Sequence, residues 1–232
     1  MGVIIEGFVE ASRLILTLDP EIVAITWLSL KVSVSAVVLG FILAMPIALA
    51  LSFYNFPGKQ FLVNIVNTLM GLPPVVVGLF VYLILSASGP LGFMQLLYSP
   101  AAMIIAQLII VIPIIAAISY NSISSLDSRL KETAVSLGAN NLQAMWLLIM
   151  EARKGIVTSI IAGFGAAISE VGAIFIVGGN IRFHTRALTT AIMLETRRGQ
   201  FELAIALGII LLAMAFAVNI ILTRYQARGI PR

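Results

Sequence analysis

The sequence predicts an all-α integral membrane protein, organised as one domain over residues 1–232 with five transmembrane helices. Its 232 residues are 60% hydrophobic and only 10% charged, whereas charged residues make up about 25% of an ordinary soluble domain. Mean hydropathy is +1.09. Apolar stretches long enough to cross a bilayer as helices cover residues 32–53, 61–86, 101–120, 156–177 and 203–222. The chain has no cysteine, which excludes disulfides and thiolate metal sites.

The N-terminal segment, residues 1–22, is too charged to cross a membrane. Its charged residues are Glu6, Glu10, Arg13, Asp19 and Glu21. Its apolar residues share one helical face, formed by Phe8, Ala11, Leu14, Ile15 and Leu18. This pattern is typical of an amphipathic helix at the membrane interface. We expect that helix on the external side, ending at Asp19-Pro20, with the first span beginning beside Lys31.

The second apolar stretch is interrupted at Gly71-Leu72-Pro73-Pro74. Pro73 and Pro74 lack the backbone N–H that a helix needs, so the helix must bend or unwind there. Unwound backbone survives in a bilayer only where protein buries it or where it lines an aqueous path. The interruption is therefore a candidate part of a translocation pathway, with Asn67 and Thr68 one or two turns earlier. A kinked helix that serves packing alone is the alternative.

Residues 127–154 form the one long polar interruption of the chain. Apolar residues recur there at helical spacing, and Gly138 breaks the run shortly before Asn140 and Asn141. The pattern predicts a short helix, a turn and the start of a second helix. An ordinary amphipathic loop helix would show the same pattern.

Glu170 follows Ser169 inside the fourth apolar stretch. A carboxylate within a membrane helix is rare and costly, and it usually faces a cavity or a partner. We therefore count Ser169 and Glu170 among the pathway and gate candidates. Glu170 acts either as a gate or helix-pairing group, or as a buried acid hydrogen-bonded to a neighbouring helix. The sequence leaves both interpretations open.

The basic residues predict the orientation of the chain. With the N-terminus outside, eight fall on the inner side: Lys59, Arg129, Lys131, Arg153, Lys154, Arg224, Arg228 and Arg232. Five fall on the outer side: Arg13, Arg182, Arg186, Arg197 and Arg198. The positive-inside rule then puts the C-terminus and residues 127–154 in the cytoplasm, and residues 179–202 outside. This scattered distribution does not indicate nucleic-acid binding.

The central loop resembles the coupling motif of ATP-binding-cassette (ABC) importer permeases. In that family Glu-Ala-Ala, three residues and Gly lie in the cytoplasmic loop that docks into an ATPase subunit. This chain has Glu132-Thr133-Ala134, three residues and Gly138. Thr133 stands where the family usually has Ala, and residues 148–151 lack the Pro that usually follows. The resemblance assigns ATPase coupling to Glu132, Thr133, Ala134 and Gly138.

Three further stretches resemble the molybdate, tungstate and sulfate permeases of this type. The turn Phe56-Pro57-Gly58-Lys59 is similar to one after the first core helix of molybdate permeases. Ser169-Glu170-Val171-Gly172-Ala173, followed by Gly178-Gly179-Asn180-Ile181-Arg182, is most similar to the tungstate branch. Leu188-Thr189-Thr190-Ala191-Ile192 is similar to the re-entrant external segment of the same family.

The resemblance implies a type I ABC importer permease fold in the cell membrane. It implies a homodimer, two cytoplasmic ATP-binding subunits and an extracytoplasmic substrate-binding protein, with tungstate as substrate and molybdate or sulfate as alternatives. The sequence lacks a Gly-x4-Gly-Lys-Ser/Thr phosphate loop, so we expect ATP hydrolysis in a separate subunit and no enzyme activity here. No cofactor is expected, and the single histidine, His184, has no second histidine with which to bind a metal.

Two other classes of function remain. A proton-coupled secondary anion transporter would use Glu170 as its proton carrier, although such proteins usually show paired internal repeats. A membrane scaffold is the second alternative. It would leave the Pro73-Pro74 interruption and the membrane carboxylate without a purpose.

Overall fold

The computed structural model describes residues 2–17 and 19–228, and all regular structure within them is helical. The α-helices of this described part are α1 (Gly2–Thr17), α2 (Pro20–Phe53), α3 (Lys59–Leu69), α4 (Pro74–Leu85), α5 (Pro100–Ser124), α6 (Ser128–Ser136), α7 (Asn141–Glu151), α8 (Arg153–Ile168), α9 (Gly172–Gly178), α10 (Leu188–Arg197) and α11 (Phe201–Arg228). A short 3₁₀ turn covers Gly92–Met94. The predicted all-α class is confirmed.

Helix α2 begins earlier than the predicted first span, residues 32–53. Asp19 caps the helix, because its Oδ1 accepts hydrogen bonds from the backbone N–H groups of Glu21 and Ile22 at 2.9 and 3.1 Å. Pro20 occupies the first helical position, where its missing N–H costs nothing. The helix therefore runs unbroken for 34 residues, or about 51 Å at 1.5 Å per residue. The expectation that Lys31 lies near its start is wrong.

The interruption predicted in the second stretch separates α3 from α4. The two helices meet at 99°. Pro73 caps the N-terminus of α4 with extended backbone, and Pro74 is its first helical residue. At the end of α3, the backbone N–H groups of Met70 and Gly71 donate to the carbonyl oxygens of Asn67 and Thr68, which lie three residues earlier rather than four. This turn is tighter than an α-helix and ends α3.

The fourth apolar stretch, predicted as one helix over residues 156–177, is also divided. Helices α8 and α9 meet at 55°, and residues 169–171 lie between them. The expectation that Glu170 lies within a helix is therefore wrong, because it lies at the break. No proline is present here, and the Ser169 hydroxyl donates to the carbonyl oxygen of Gly165 at the end of α8.

Three described helices, α2, α5 and the stretch Phe201–Arg224 of α11, are each long and apolar enough to cross a membrane. The bent pairs α3–α4 and α8–α9 bring the number to five if each pair counts as one span. Apolar side chains remain exposed on the outer surface of these helices, as a bilayer requires. Examples are Leu43, Phe80, Leu212 and Phe216. The chain is thus built as a multi-pass membrane protein.

Helix α5 lies at the centre, where it packs against α2, α3, α4, α8 and α9. Small residues allow the close approach of α2: a Cβ added at Gly40 would lie 3.0 Å from Cγ1 of Val111 in α5. The hydroxyls of Ser119 and Ser159 form a buried 2.9 Å hydrogen bond that joins α5 to α8. Helix α5 therefore contacts both bent pairs, and these two contacts attach α2 and α8 to it.

Helix α1 packs along α11. A Cβ added at Gly7 would lie only 2.5 Å from Cγ2 of Ile205, so the backbones approach closely. Ala11 is buried in this contact, whereas Phe8 and Ile15 of the predicted apolar face remain exposed. Leu18 lies outside the described residues. The predicted amphipathic helix therefore packs against protein on one side and keeps an apolar surface on another.

Candidate functional site

The two helix breaks come together in the fold. A Cβ added at Gly172, the first residue of α9, would lie 2.8 Å from Cγ2 of Val75 in the first turn of α4. One turn further, a Cβ added at Gly78 would lie 2.7 Å from the Cα of Ala173. At Gly78 the close atom belongs to the main chain, so only glycine permits that approach without displacing the backbone, whereas at Gly172 the Val75 side chain would have to move. The Pro73-Pro74 break and the Ser169-Glu170 break therefore form one site of non-helical backbone.

Hydrogen bonds hold both the side chain and the main chain of Glu170 within this site. Its side chain is buried, with the residue only 8% exposed. Oε1 accepts a 2.8 Å hydrogen bond from the backbone N–H of Ala173, which otherwise has no partner in the first turn of α9. The hydroxyl of Thr189 donates to the carbonyl oxygen of Glu170 at 2.8 Å. The Glu170 carboxylate thus accepts from the main chain three residues later. The Glu170 carbonyl oxygen accepts from a side chain of α10.

Polar side chains of α2 and α5 hold the segments around this break. Nε2 of Gln107 in α5 donates to the carbonyl oxygen of Ala167 at 2.8 Å. Oγ of Ser29 in α2 accepts from the backbone N–H of Leu188 at the start of α10, also at 2.8 Å. Ser29, Gln107 and Thr189 are buried. None of the three was predicted to hold this break: Ser29 and Gln107 show in the sequence only as polar residues among apolar ones, and Thr189 lies in the stretch 188–192 that resembles the re-entrant segment.

The remaining pathway candidates lie at or near the surface of the chain. Asn67, Thr68, Pro73 and Ser169 are exposed, and Pro74 is half-buried. The hydroxyl of Thr68 donates to the carbonyl oxygen of Asn64 in its own helix at 2.8 Å. Exposed polar groups beside an unwound membrane segment must face a water-filled path or another protein surface. The predicted pathway residues thus divide into an exposed group and one buried group, Glu170.

The loop between α5 and α8 contains the predicted helix–turn–helix, α6 and α7. Asp127 caps α6, since its Oδ1 accepts from the N–H of Arg129 at 2.9 Å. Gly138 ends α6 with φ of +93°. The N–H of Gly138 bonds the carbonyl of Val135 at 2.9 Å, and that of Ala139 bonds the carbonyl of Ala134 at 3.0 Å. This pair of bonds is a Schellman motif, which explains the glycine.

The surface of this loop is more apolar than its charge content suggests. Leu137 is 83% exposed, Leu142 is 76% exposed and Trp146 is 63% exposed. Glu132 and Thr133 are also exposed, whereas Ala134 is 8% exposed and packs inward. Asn140 begins α7 with a capping box to Gln143, which fixes the turn between the helices. The loop is therefore an ordered element with an apolar surface that the described chain leaves uncovered.

The middle of the segment over residues 179–202 enters the fold, whereas residues 181–184 and 196–201 are exposed. Leu188, Thr189, Thr190 and Ala191 are all buried. Helix α10 is 10 residues long, or about 15 Å, which is half the thickness of the hydrocarbon core. Gly199, with φ of +75°, turns the chain into α11. Among the described residues, no group of three or more His, Asp or Glu is arranged to hold a metal ion.

This chain is similar over most of its length to known transport proteins. A probable anion ABC transporter permease protein of Haloferax volcanii is 46% identical over 212 residues, covering 89% of this chain and 91% of the relative. The tungstate uptake system permease protein TupB of Peptoclostridium acidaminophilum is 40% identical over 226 residues, covering 97% of this chain and 99% of the relative.

Solved structures show the same fold. The permease chain matched in a bacterial alginate ABC transporter, crystallised with its alginate pentasaccharide-bound periplasmic protein, superposes with a TM-score of 0.72 at 18% identity. The match covers 90% of this chain and 79% of that one. Residues 36–230 match the family model of the binding-protein-dependent transport system inner membrane component. This chain belongs to that family of permeases.

Proposed function

We propose that this chain is the transmembrane subunit of an ATP-driven importer that moves tungstate into the cytoplasm. The observation that carries the proposal is the α6–α7 loop, an ordered polar element that exposes Leu137, Leu142 and Trp146. Large exposed apolar side chains on a charged loop mark a protein interface. An ATPase subunit docked there would cover them. ATP hydrolysis then takes place in that separate subunit.

Coupling is assigned to the end of α6. Glu132 and Thr133 are exposed for contact, Ala134 packs inward, and Gly138 holds the turn that returns the chain toward the membrane. Asp127 and the Schellman motif fix both ends of this short helix. A helix fixed at both ends transmits a push as a rigid body. Movement of the ATPase subunits would therefore reach α5 and α8 through the loop.

In the proposed arrangement five spans cross the membrane, with each bent pair counted as one. The N-terminus lies outside and the C-terminus lies in the cytoplasm, which puts the loop of residues 127–154 on the side where ATP is found. Helix α1 and residues 179–202 then lie on the outer side, where a substrate-binding protein would dock. Arg232, one of the basic residues behind this orientation, lies outside the described residues.

Two copies of the chain would enclose the pathway. The exposed polar residues Asn67, Thr68 and Ser169 and the unwound backbone at Pro73 and Pro74 supply surface that a homodimer interface with a water-filled path would use. Glu170 positions the break behind them. Its Oε1 caps α9, and this supports a structural carboxylate over the proton carrier of a secondary transporter.

The substrate follows from the relatives. Similarity to the tungstate uptake permease over nearly the whole of both chains favours tungstate. Molybdate and sulfate are the alternatives, since all three are tetrahedral dianions. Reconstituted with its ATPase and binding protein in liposomes, the complex should take up tungstate in the presence of ATP and resist excess molybdate and sulfate. Equal inhibition by molybdate, or preference for sulfate, would overturn the tungstate assignment while leaving the importer intact.

A further inference from the structure

One side of helix α3 is polar, although α3 and α4 together form an apolar stretch of membrane-spanning length. The polar face of α3 consists of Gln60, Asn64, Asn67 and Thr68, which lie within about 100° of one another around the helix axis. All four are exposed, whereas Val63 of the same helix is buried. Nε2 of Gln60 donates to Oδ1 of Asn64 at 3.3 Å, so the first two side chains are linked along the helix.

The contacts of the neighbouring helices indicate the depth of this face. Helix α8 begins at Arg153 and runs for 16 residues, or about 24 Å, before the break at residues 169–171. Val75, at the start of α4, packs on Gly172 directly after that break. One end of α3 thus leads to the depth of this break, whereas Lys59 at the other end follows the turn after α2. Helix α3 therefore rises into the hydrocarbon core instead of lying along its surface.

The polar face carries donors and no charge. No charged residue lies between Lys59 and Asp127 in the sequence, so this face has neither a carboxylate to repel an anion nor a cation to hold it. Within the part of the chain that the structure describes, Nδ2 of Asn64 and the side chain of Asn67 have no hydrogen-bond partner. Conduction requires binding that is favourable enough for an ion to enter and weak enough for it to leave. Neutral amide donors meet both conditions for an oxyanion.

We propose that the polar face of α3 binds the tetrahedral oxyanion along one half of the pathway, where Asn64 and Asn67 donate amide N–H groups to it as it passes. This inference rests on the proposed function, which supplies both the anion and the second copy of the chain that encloses the path. Exposed polar groups at membrane depth need water or protein beside them. Gln60 and Asn64 thereby extend the pathway from the helix break to Lys59, the one cation at its end.

The first test uses the absence of cysteine from the chain, because one introduced thiol then reports on one position. Asn64→Cys is assembled with its ATPase and binding protein in nanodiscs and treated, with and without ATP, with an anionic methanethiosulfonate that modifies thiols in water. We expect modification at least tenfold faster than in Leu62→Cys, and slowed at least threefold by millimolar tungstate. Leu62 is the matched control, since it is 43% exposed on the opposite side of α3.

The other outcomes of this labelling overturn the proposal. Equal rates at Asn64→Cys and Leu62→Cys would show a helix on the membrane surface. An inert Asn64→Cys would show a face covered by lipid or, if oxidation joins it to a second copy, by that copy. Fast modification that tungstate does not slow would show a water-filled path without anion binding. Failure of the proposed function differs from all of these, because the unsubstituted complex would then show no ATP-driven tungstate uptake.

A charge at the same position gives the second test. Asn64→Asp keeps the size of the side chain and replaces its donor with a negative charge, so tungstate uptake should fall at least tenfold. Co-purification of the ATPase should not change. Asn121→Asp makes the same substitution at an exposed residue of α5 and should retain uptake. Wild-type uptake by Asn64→Asp, or equal losses in the two variants, would contradict anion binding on this face.

Discussion

The carboxylate of Glu170 accepts a 2.8 Å hydrogen bond from the backbone N–H of Ala173. The first N–H groups of a helix have no partner within it, and a negative charge at that end is favourable. Glu170 therefore caps the N-terminus of α9 directly after the chain bends. This hydrogen bond supports the proposal that the buried acid has a structural role without a proton-transfer step.

Replacing Glu170 tests this purpose. Glu170→Gln keeps a side-chain oxygen for the N–H of Ala173, so its melting temperature in detergent should stay near that of the wild type. Glu170→Leu leaves the N–H buried without a partner and should lower stability by about 1–3 kcal/mol. ATP-dependent uptake should persist in Glu170→Gln. A stable Glu170→Gln protein that has lost uptake would instead indicate a proton-carrying carboxylate.

The contact between the two breaks can be tested at Gly78. A Cβ there would lie 2.7 Å from the Cα of Ala173, and main chain cannot yield as a side chain can. Gly78→Ala should therefore destabilise the protein by about 1–3 kcal/mol, measured as a lower melting temperature. Gly165→Ala is the control, because a Cβ added at Gly165 meets no atom within 4 Å. It should be neutral or stabilising, and equal losses in both variants would contradict the described packing.

Substitution of Gly138 tests whether the ATPase subunit docks at this turn. Aspartate tolerates a positive φ better than most residues, so Gly138→Asp should still fold and insert into the membrane. The added charged side chain should prevent the ATPase subunit from co-purifying. Gly199→Asp is a matched control, since Gly199 also has a positive φ and open space around its Cα. Normal co-purification with Gly138→Asp would rule out docking at this turn.

Two leucines of α7 separate docking from folding. Leu142 is 76% exposed, and Leu148 in the same helix is 8% exposed. Leu142→Ser should leave the melting temperature unchanged and weaken co-purification of the ATPase at least tenfold. Leu148→Ser should lower the melting temperature, because it removes buried apolar volume and buries a hydroxyl. Unchanged ATPase binding by Leu142→Ser would mean that this surface is not the interface.

Local features of the sequence were enough to predict part of this fold. Apolar length indicated the membrane helices, Pro73 and Pro74 indicated the first break, and the spacing around Gly138 indicated α6 and α7. The second break was missed because Ser169-Glu170-Val171 has no helix-breaking residue. At this break Gly172 packs on Val75, a residue 97 positions earlier in the chain. Contacts between such distant residues leave no periodic signal.

In the candidate site, too, some features follow from local sequence and others depend on contacts between distant residues. Asn67 and Ser169 are exposed beside non-helical backbone, and their assignment to the pathway stays a prediction. The roles of Ser29 and Gln107 depend on which main-chain groups the fold brings to them, and no local pattern contains that information. The start of α2 was misplaced for a different reason. Residues 20–31 contain two charged residues, so they were left out of the predicted span. Asp19 as the cap and Pro20 as the first helical residue are nevertheless a favourable helix start.

The central claim is that ATP hydrolysis in a partner subunit drives the anion through this chain. The most direct measurement is tungstate uptake into sealed proteoliposomes that contain the complete complex, with ATP supplied to the ATPase side and no proton gradient. We predict uptake that requires ATP and is abolished by Gly138→Asp. Uptake that ignores ATP, follows an imposed proton gradient and survives Gly138→Asp would contradict the account.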